Sequence, residues 1–299
     1  MNTNDYNVKS IRKKFKEKGI FYTPTKLVEI MNSYIPNDFK YNNVYDPTCG
    51  HGNILKSFDD RIVKYGQEIN EVAYNVAKNI TNSNIALGDT LLNPAFINYK
   101  FDLILANPPF SISWEPKKYD WIPDDLDTLP PKSRADYAFI LHCIHCLNDN
   151  GICIMLCFPG ILYRLQSEYK IRKYIIEKNY IDKIVNIDAN TFDDTKIATT
   201  LIVFKKNKIN TDITFIDGNK TTIATLDDIK NNNYNLSTNN YIQCYEQHEK
   251  IDPIELKNNS RNLFINNLKK QIQIDYILYD DTNNFINDII NTINDIIKK

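Results

Sequence analysis

The chain has 299 residues, 42% hydrophobic and 24% charged, with a formal net charge of −1. That balance fits one large globular domain with an appendage and excludes a globally basic nucleic-acid binder. No apolar run reaches the roughly 18–20 residues of a membrane span, and MNTNDYNVKS has no signal-peptide core, so the expected location is the cytoplasm.

In chain order, residues 1–20 form a basic arm, with Lys9, Arg12, Lys13, Lys14, Lys16 and Lys18 against Asp5 and Glu17. Such an arm reads either as a phosphate-contacting segment or as a solvated helix face. KGIFYTPTKLVEIMNSYI then gives a turn and an amphipathic helix, with Thr23 or Thr25 as its N-cap and Pro24 near the first turn. From residue 40, strands are predicted over 42–48, 61–69, 84–89, 101–107, 151–159, 180–188 and 199–206. Between them lie helical patterns starting at GNILKSF and at 70–80, where Val72, Val76 and Ile80 are spaced as one face. ADYAFILHCIHCL and residues 167–178 are further helices. No helix separates the last two strands, so they are expected to pair antiparallel.

This alternation predicts a mostly parallel seven-stranded sheet covered by helices on both faces. After about residue 218 it fades. NNNYNLSTNNYI is polar and turn-rich, and two helical patterns follow near 255–274 and 283–299. The last carries a stripe of Ile286, Ile289, Ile290, Ile293, Ile296 and Ile297, which must bury itself on the body or on a partner. Six cysteines are present, at 49, 143, 146, 153, 157 and 244. Cys143 and Cys146 form a C-x-x-C beside His142 and His145, but they continue an apolar helix face and no second ligand pair has zinc spacing, so no metal is expected.

In sheets of this kind ligands bind beyond the carboxyl ends of the strands, and the chemistry-bearing residues fall there. DPTCGHGNIL follows the first strand, where Gly50 and Gly52 allow a tight turn against a ligand. The second strand ends in GQEI, placing Glu68 to accept the hydroxyls of a ribose, and the third ends in GDTL, placing Asp89 to accept from an adenine amino group. The third glycine of a dinucleotide fingerprint and the lysine of a P-loop are both missing. A ligand with ribose and adenine but no pyrophosphate therefore fits better, and S-adenosylmethionine is such a ligand.

The fourth strand, FDLILANPPF, stops at an amide, two prolines and a ring, because consecutive prolines cannot continue a central strand. Asn107 is then expected beside a methyl sulfonium. Its side-chain oxygen and the Pro108 carbonyl can accept the N–H bonds of an exocyclic amine, localising a lone pair otherwise delocalised into the ring. Pro109 adds stiffness and Phe110 a surface on which a base stacks, an interaction of about 1–3 kcal/mol. Such an acceptor base has to be flipped out of its duplex, and Phe192 is the expected second aromatic wall.

Together these residues resemble the DNA N6-adenine methyltransferases, and among them the modification (M) subunits of Type I restriction–modification systems, over roughly residues 19–242. The resemblance implies a Rossmann-like S-adenosylmethionine-dependent methyltransferase fold over residues 21–218, with a helical C-terminal extension over 219–299. It implies that Tyr22, Thr23 and Pro24 of GIFYTP help hold the methionine end of the cofactor. Asp46, Thr48, Gly50, His51, Gly52 and Asn53 would belong to the cofactor loop, where a small residue is more usual than His51. Double-stranded DNA and a separate specificity subunit are the implied partners, the latter docking on the C-terminal helices. The chain departs from the family in that only residues 1–18 precede GIFYTP, where M subunits carry a helical domain, and no later segment reads as a target-recognition domain. Two other readings stay open: a methyltransferase for another planar amine or amide (protein glutamine, RNA, cytosine N4), and a non-catalytic partner of a specificity subunit.

Overall fold

Strands that are apolar on both sides can only sit between two helical layers, and FDLILA is such a strand. In the computed structural model, which describes residues 23–188, 198–242 and isolated positions between 260 and 291, it is an interior strand of the sheet, next to the central one. The chain divides into two compact units, residues 1–243 and 244–299, and everything below concerns the first.

The elements run α1 (Thr25–Ser33), β1 (Asn43–Asp46), α2 (Asn53–Lys56), β2 (Val63–Glu68), α3 (Glu71–Ala77), β3 (Ser83–Leu87) and β4 (Phe101–Ala106). There follow α4 (Asp136–Cys146), β5 (Leu147–Cys157), a 3₁₀ turn (Pro159–Leu162), α5 (Ser167–Glu177), β6 (Ile181–Ile187) and β7 (Thr199–Lys205). A hairpin of β8 (Ile213–Asp217) and β9 (Lys220–Ala224) and a short helix, α6 (Leu226–Asn231), complete the series.

The sheet order is β3-β2-β1-β4-β5-β7-β6-β8-β9. β1 to β5 run parallel to one another, and β7 is inserted antiparallel between β5 and β6, the antiparallel pairing expected of the last two predicted strands. The seven expected strands are thus present, and the sheet is extended to nine. β8 pairs parallel to β6 and β9 antiparallel to β8. The domain boundary expected at 218 falls in the turn of this hairpin, at Gly218. Beyond it the polar stretch stays on the same body: Leu236 and Ile242 are buried, and the Leu236 N–H donates to the Leu162 carbonyl at 2.8 Å.

One face of the sheet packs Tyr45, Phe101, Ile104, Met155, Ile202 and Phe204 under α4 and α5. The other packs Val44, Leu103, Leu105, Ile154 and Val203 against Leu27, Met31, Ile54 and Leu55 of α1 and α2. α4 is buried on every side except at His145, which is why its sequence shows no polar stripe. Two expectations need correction. α3 buries Ala73 and Ala77, and leaves Val72 63% and Val76 42% exposed, because small residues let this short helix approach the sheet closely. The N-cap of α1 is Pro24 itself, with no side-chain cap from Thr23 or Thr25.

Among the described residues no helix is long and apolar enough to cross a membrane. The basic arm, Tyr22, Phe192, Cys244 and most of the Ile stripe lie outside the described residues.

Candidate active site

Because β3, β2, β1 and β4 are parallel neighbours, their carboxyl ends open on one edge, and the four loops that leave them surround a cavity of about 460 Å³. Its walls include Thr48 and Gly50 after β1, Glu68 and Asn70 at the end of β2, Asp89 to Leu92 after β3, and Asn107 and Pro109 after β4. The far wall comes from Ile112 to Glu115 and from Phe139 of α4.

The glycine loop is shaped by backbone demands. Gly50 and Gly52 have φ of 53° and 78°, and a Cβ on Gly52 would lie 2.2 Å from Ile80 Cδ1. Only glycine meets both conditions without strain. Glu68 fixes the loop from the neighbouring strand: its Oε2 accepts the Gly50 N–H at 2.8 Å and its Oε1 the Asn70 N–H at 2.7 Å. Each oxygen retains a second lone pair for a ligand hydroxyl.

Asp89 Oδ1 accepts the Leu91 and Leu92 N–H groups at 2.8 and 3.1 Å, while Oδ2 takes no hydrogen bond from the described residues. The arm that carries it is pinned by buried Gln67, whose Nε2 donates to the Asn93 carbonyl at 2.9 Å and whose Oε1 accepts the Ala95 N–H at 3.0 Å. Thr90 Oγ1 donates to the Pro47 carbonyl, joining this arm to the glycine loop.

Beneath the loop Asp46 is 1% exposed. Burial pushes its carboxyl up to about 7, with Glu68 adding to the rise, against the Thr48 N–H that Oδ1 accepts at 3.0 Å. Thr48 lines the cavity with a buried hydroxyl that has no partner among the described residues, a polar atom left for a ligand or a water. A polar floor of Thr48, Glu68 and Asp89 under apolar walls suits a ligand with ribose and adenine.

At the fourth strand end Asn107 lines the cavity, and its Nδ2 donates to Thr23 Oγ1 at 3.3 Å. The turn after it is strained: Ser111, 4% exposed, has φ of 52°, an unusual conformation for a residue with a Cβ. Its N–H donates to Asp136 Oδ1 at 3.2 Å. Burial raises the Asp136 carboxyl pKa, and the charge of Arg164 opposes the rise. Phe110 stands outside the cavity wall, half-buried against the face that α1 and α2 cover.

Of the residues expected from sequence, Thr48, Gly50, Glu68, Asp89, Asn107 and Pro109 line the cavity. Thr23, Pro24, Asp46, His51, Gly52, Asn53, Pro108 and Phe110 do not, although Asp46 supports the loop from below and Asn53 Nδ2 donates to the Thr23 carbonyl at 3.0 Å. Sequence reasoning missed Gln67, the Asp89 neighbours, the Ile112–Glu115 wall and Phe139. The wall carries no motif, since it exists only because its loop folds back, with the Trp114 N–H donating to the Lys132 carbonyl at 3.0 Å. Phe139 showed only as part of an apolar helix. The C-x-x-C cysteines are buried in α4, with Cys146 Sγ 3.8 Å from His142 Nε2, and burial keeps His142 neutral, its pKa lowered to about 3.

A sheet of this order, with a glycine loop and two acidic strand ends around one cavity, defines the S-adenosylmethionine-dependent methyltransferase architecture. The family model described as N-6 DNA Methylase matches residues 7–223, and the chain belongs to that family. It is 36% identical over 234 residues to the Type I restriction enzyme MpnII methylase subunit of Mycoplasma pneumoniae, spanning 68% of this chain and 43% of that one. A solved Type I restriction–modification methyltransferase subunit from Streptococcus thermophilus is 30% identical, with a TM-score of 0.67, over 75% of this chain and 60% of that chain. A class I S-adenosylmethionine-dependent methyltransferase from Listeria monocytogenes shares the fold at 16% identity and a TM-score of 0.50, over 70% of this chain and 71% of that one. The chain spans about half the length, or less, of the curated relatives it matches.

Proposed function

We propose that this chain transfers the methyl group of S-adenosylmethionine to the N6 amino group of adenine in double-stranded DNA, as the modification subunit of a restriction–modification system. One observation carries the reading: the Asn107 carboxamide stands in the wall of the same cavity that Thr48, Glu68 and Asp89 line. Glu68 would hold the ribose, Asp89 the adenine amino group, and the Thr48 hydroxyl a further polar atom of the cofactor. Bound there, the cofactor would supply an electrophilic methyl group.

The protein's remaining task is to make a poor nucleophile attack. Asn107 Oδ1 and the Pro108 carbonyl would accept hydrogen bonds from the two amine N–H groups and aim the lone pair, so that catalysis is positioning. Phe110 packs on the α1–α2 side, away from the cavity wall. A base in a duplex reaches this turn only by flipping out. Family membership favours DNA over a protein acceptor, and a specificity subunit would supply the sequence reading that no described segment offers.

Incorporation of labelled methyl into unmethylated DNA, with Asn107→Ala as control, tests the reading. Adenine label lost in the control supports it, and label entering protein instead of DNA refutes it.

A further inference from the structure

The turn that ends β4 is stiff in its middle and aimed from its two ends. Pro108 and Pro109 have fixed φ and no backbone donors. Pairing of β4 with β5, which runs to Ala106 opposite Met155, fixes the near end. At the far end Ser111 is 4% exposed with φ of 52°, a conformation that a residue with a Cβ keeps only where its surroundings enforce it. Two hydrogen bonds to the start of α4 do so. The Ser111 N–H donates to Asp136 Oδ1 at 3.2 Å, and the Ala135 N–H donates to the Ile112 carbonyl at 2.8 Å. Neither bond can reverse its direction, because each donor is a backbone amide.

Asp136 is 6% exposed, and burying a carboxyl group costs stability, so its place asks for a reason beyond packing. Its Oδ2 takes no hydrogen bond from the described residues, and the side chain acts through Oδ1. We infer that Asp136 is the positioning residue of the acceptor turn, an inference that rests on the methyltransferase reading above. Through the Ser111 N–H its carboxylate holds the left-handed residue that closes the turn, and so fixes where Asn107 and Pro108 present their oxygens. The cavity wall just beyond has ties of its own. The Trp114 N–H donates to the Lys132 carbonyl at 3.0 Å, Trp114 Nε1 to the Pro131 carbonyl at 3.2 Å, and Lys132 Nζ to Glu115 Oε2 at 3.0 Å. Loss of the Asp136 tether therefore bears on transfer more than on cofactor affinity.

The test uses the full chain with isotopically labelled serine, whose backbone amide protons are followed by NMR. The signal missing from Ser111→Gly belongs to Ser111. Asp136→Asn keeps an oxygen in place and leaves that amide protected, whereas Asp136→Leu, similar in shape but without an acceptor, speeds its solvent exchange about tenfold. Single-turnover transfer to unmethylated DNA follows the same order. Asp136→Leu lowers the rate about ten- to a hundredfold with S-adenosylmethionine affinity held within about threefold, and Asp136→Asn stays within about threefold of wild type. Glycine adopts a positive φ freely, so adding Ser111→Gly to Asp136→Leu recovers part of the loss. A charge that merely favoured the start of α4 would show no such rescue. A Ser111 amide that ignores Asp136→Leu overturns the inference. So does a folded Asp136→Asn chain that has lost transfer, which would make the charge and not the tether the part that counts; this comparison stands even if Asp136→Leu does not fold. A wild-type chain whose Ser111 amide depends on Asp136 but which has no affinity for S-adenosylmethionine upholds the tether and refutes the methyltransferase reading instead.

Discussion

The Glu68 carboxylate accepts the Gly50 N–H at 2.8 Å and so ties the end of β2 to the loop that follows β1. Its other oxygen holds the Asn70 N–H at 2.7 Å, which leaves the carboxylate no freedom to turn. Glu68→Ala would therefore remove the proposed ribose acceptor and also strand two backbone donors. Affinity for S-adenosylmethionine should fall about tenfold or more, with Glu68→Gln intermediate because it keeps one oxygen. Titration calorimetry decides, and an alanine variant that binds like wild type would exclude Glu68 from the ribose contact.

Asn107 separates binding from chemistry. In the proposed reaction its oxygen serves only the acceptor amine, so Asn107→Ala should bind S-adenosylmethionine normally and lose transfer by about a hundredfold or more. Binding and single-turnover rates measured on the same preparation test both halves. A variant that transfers at the wild-type rate would end the assignment.

Asp46 gives a pH signature. Its folded pKa of about 7 exceeds the ordinary 3.8, so between those values the folded chain binds more protons than the unfolded one. Its contribution to stability is full below about pH 4 and falls as pH rises to about 7. Asp46→Asn, which keeps an oxygen for the Thr48 N–H, should gain stability relative to wild type as pH is raised. Urea unfolding of both chains between pH 4.5 and 7.5, about the window of the shift, measures the difference. A gap that does not change with pH would mean that the carboxyl is ionised throughout.

At Gly52 a side chain faces two penalties. The positive φ disfavours any Cβ, and Ile80 Cδ1 occupies its space at 2.2 Å. Gly52→Ala should lower stability by about 1–3 kcal/mol. Adding Ile80→Ala should relieve the collision but not the backbone strain. The double-mutant cycle therefore expects a favourable coupling, and simple additivity would show that the isoleucine swings aside at no cost.

The strands were legible in the sequence because apolar runs such as FDLILA and ICIMLC have no alternative to burial between layers. The strand-end acids were legible too, since topology alone sends β2 and β3 to the edge where β1 opens. Helix faces were less so. Val72, Val76 and Ile80 make a better stripe on paper than Ala73 and Ala77, yet close approach to the sheet selects the alanines. β8 was invisible because five residues with one mildly apolar face become a strand only when β6 offers an edge. The Ile112–Glu115 wall belongs to neither pattern, being set by long-range loop closure on Lys132.

The antiparallel insertion of β7 has a consequence for biogenesis. β5 can pair with β4 as soon as both have left the ribosome, but its other edge is reserved for residues 199–205. Until they emerge, the apolar half of this central strand, Ile152–Cys157, offers unpaired backbone groups to any passing chain. The half that carries the glycine loop and Asn107 can thus assemble during translation while its neighbour waits, and that interval is when a growing chain has most need of a chaperone.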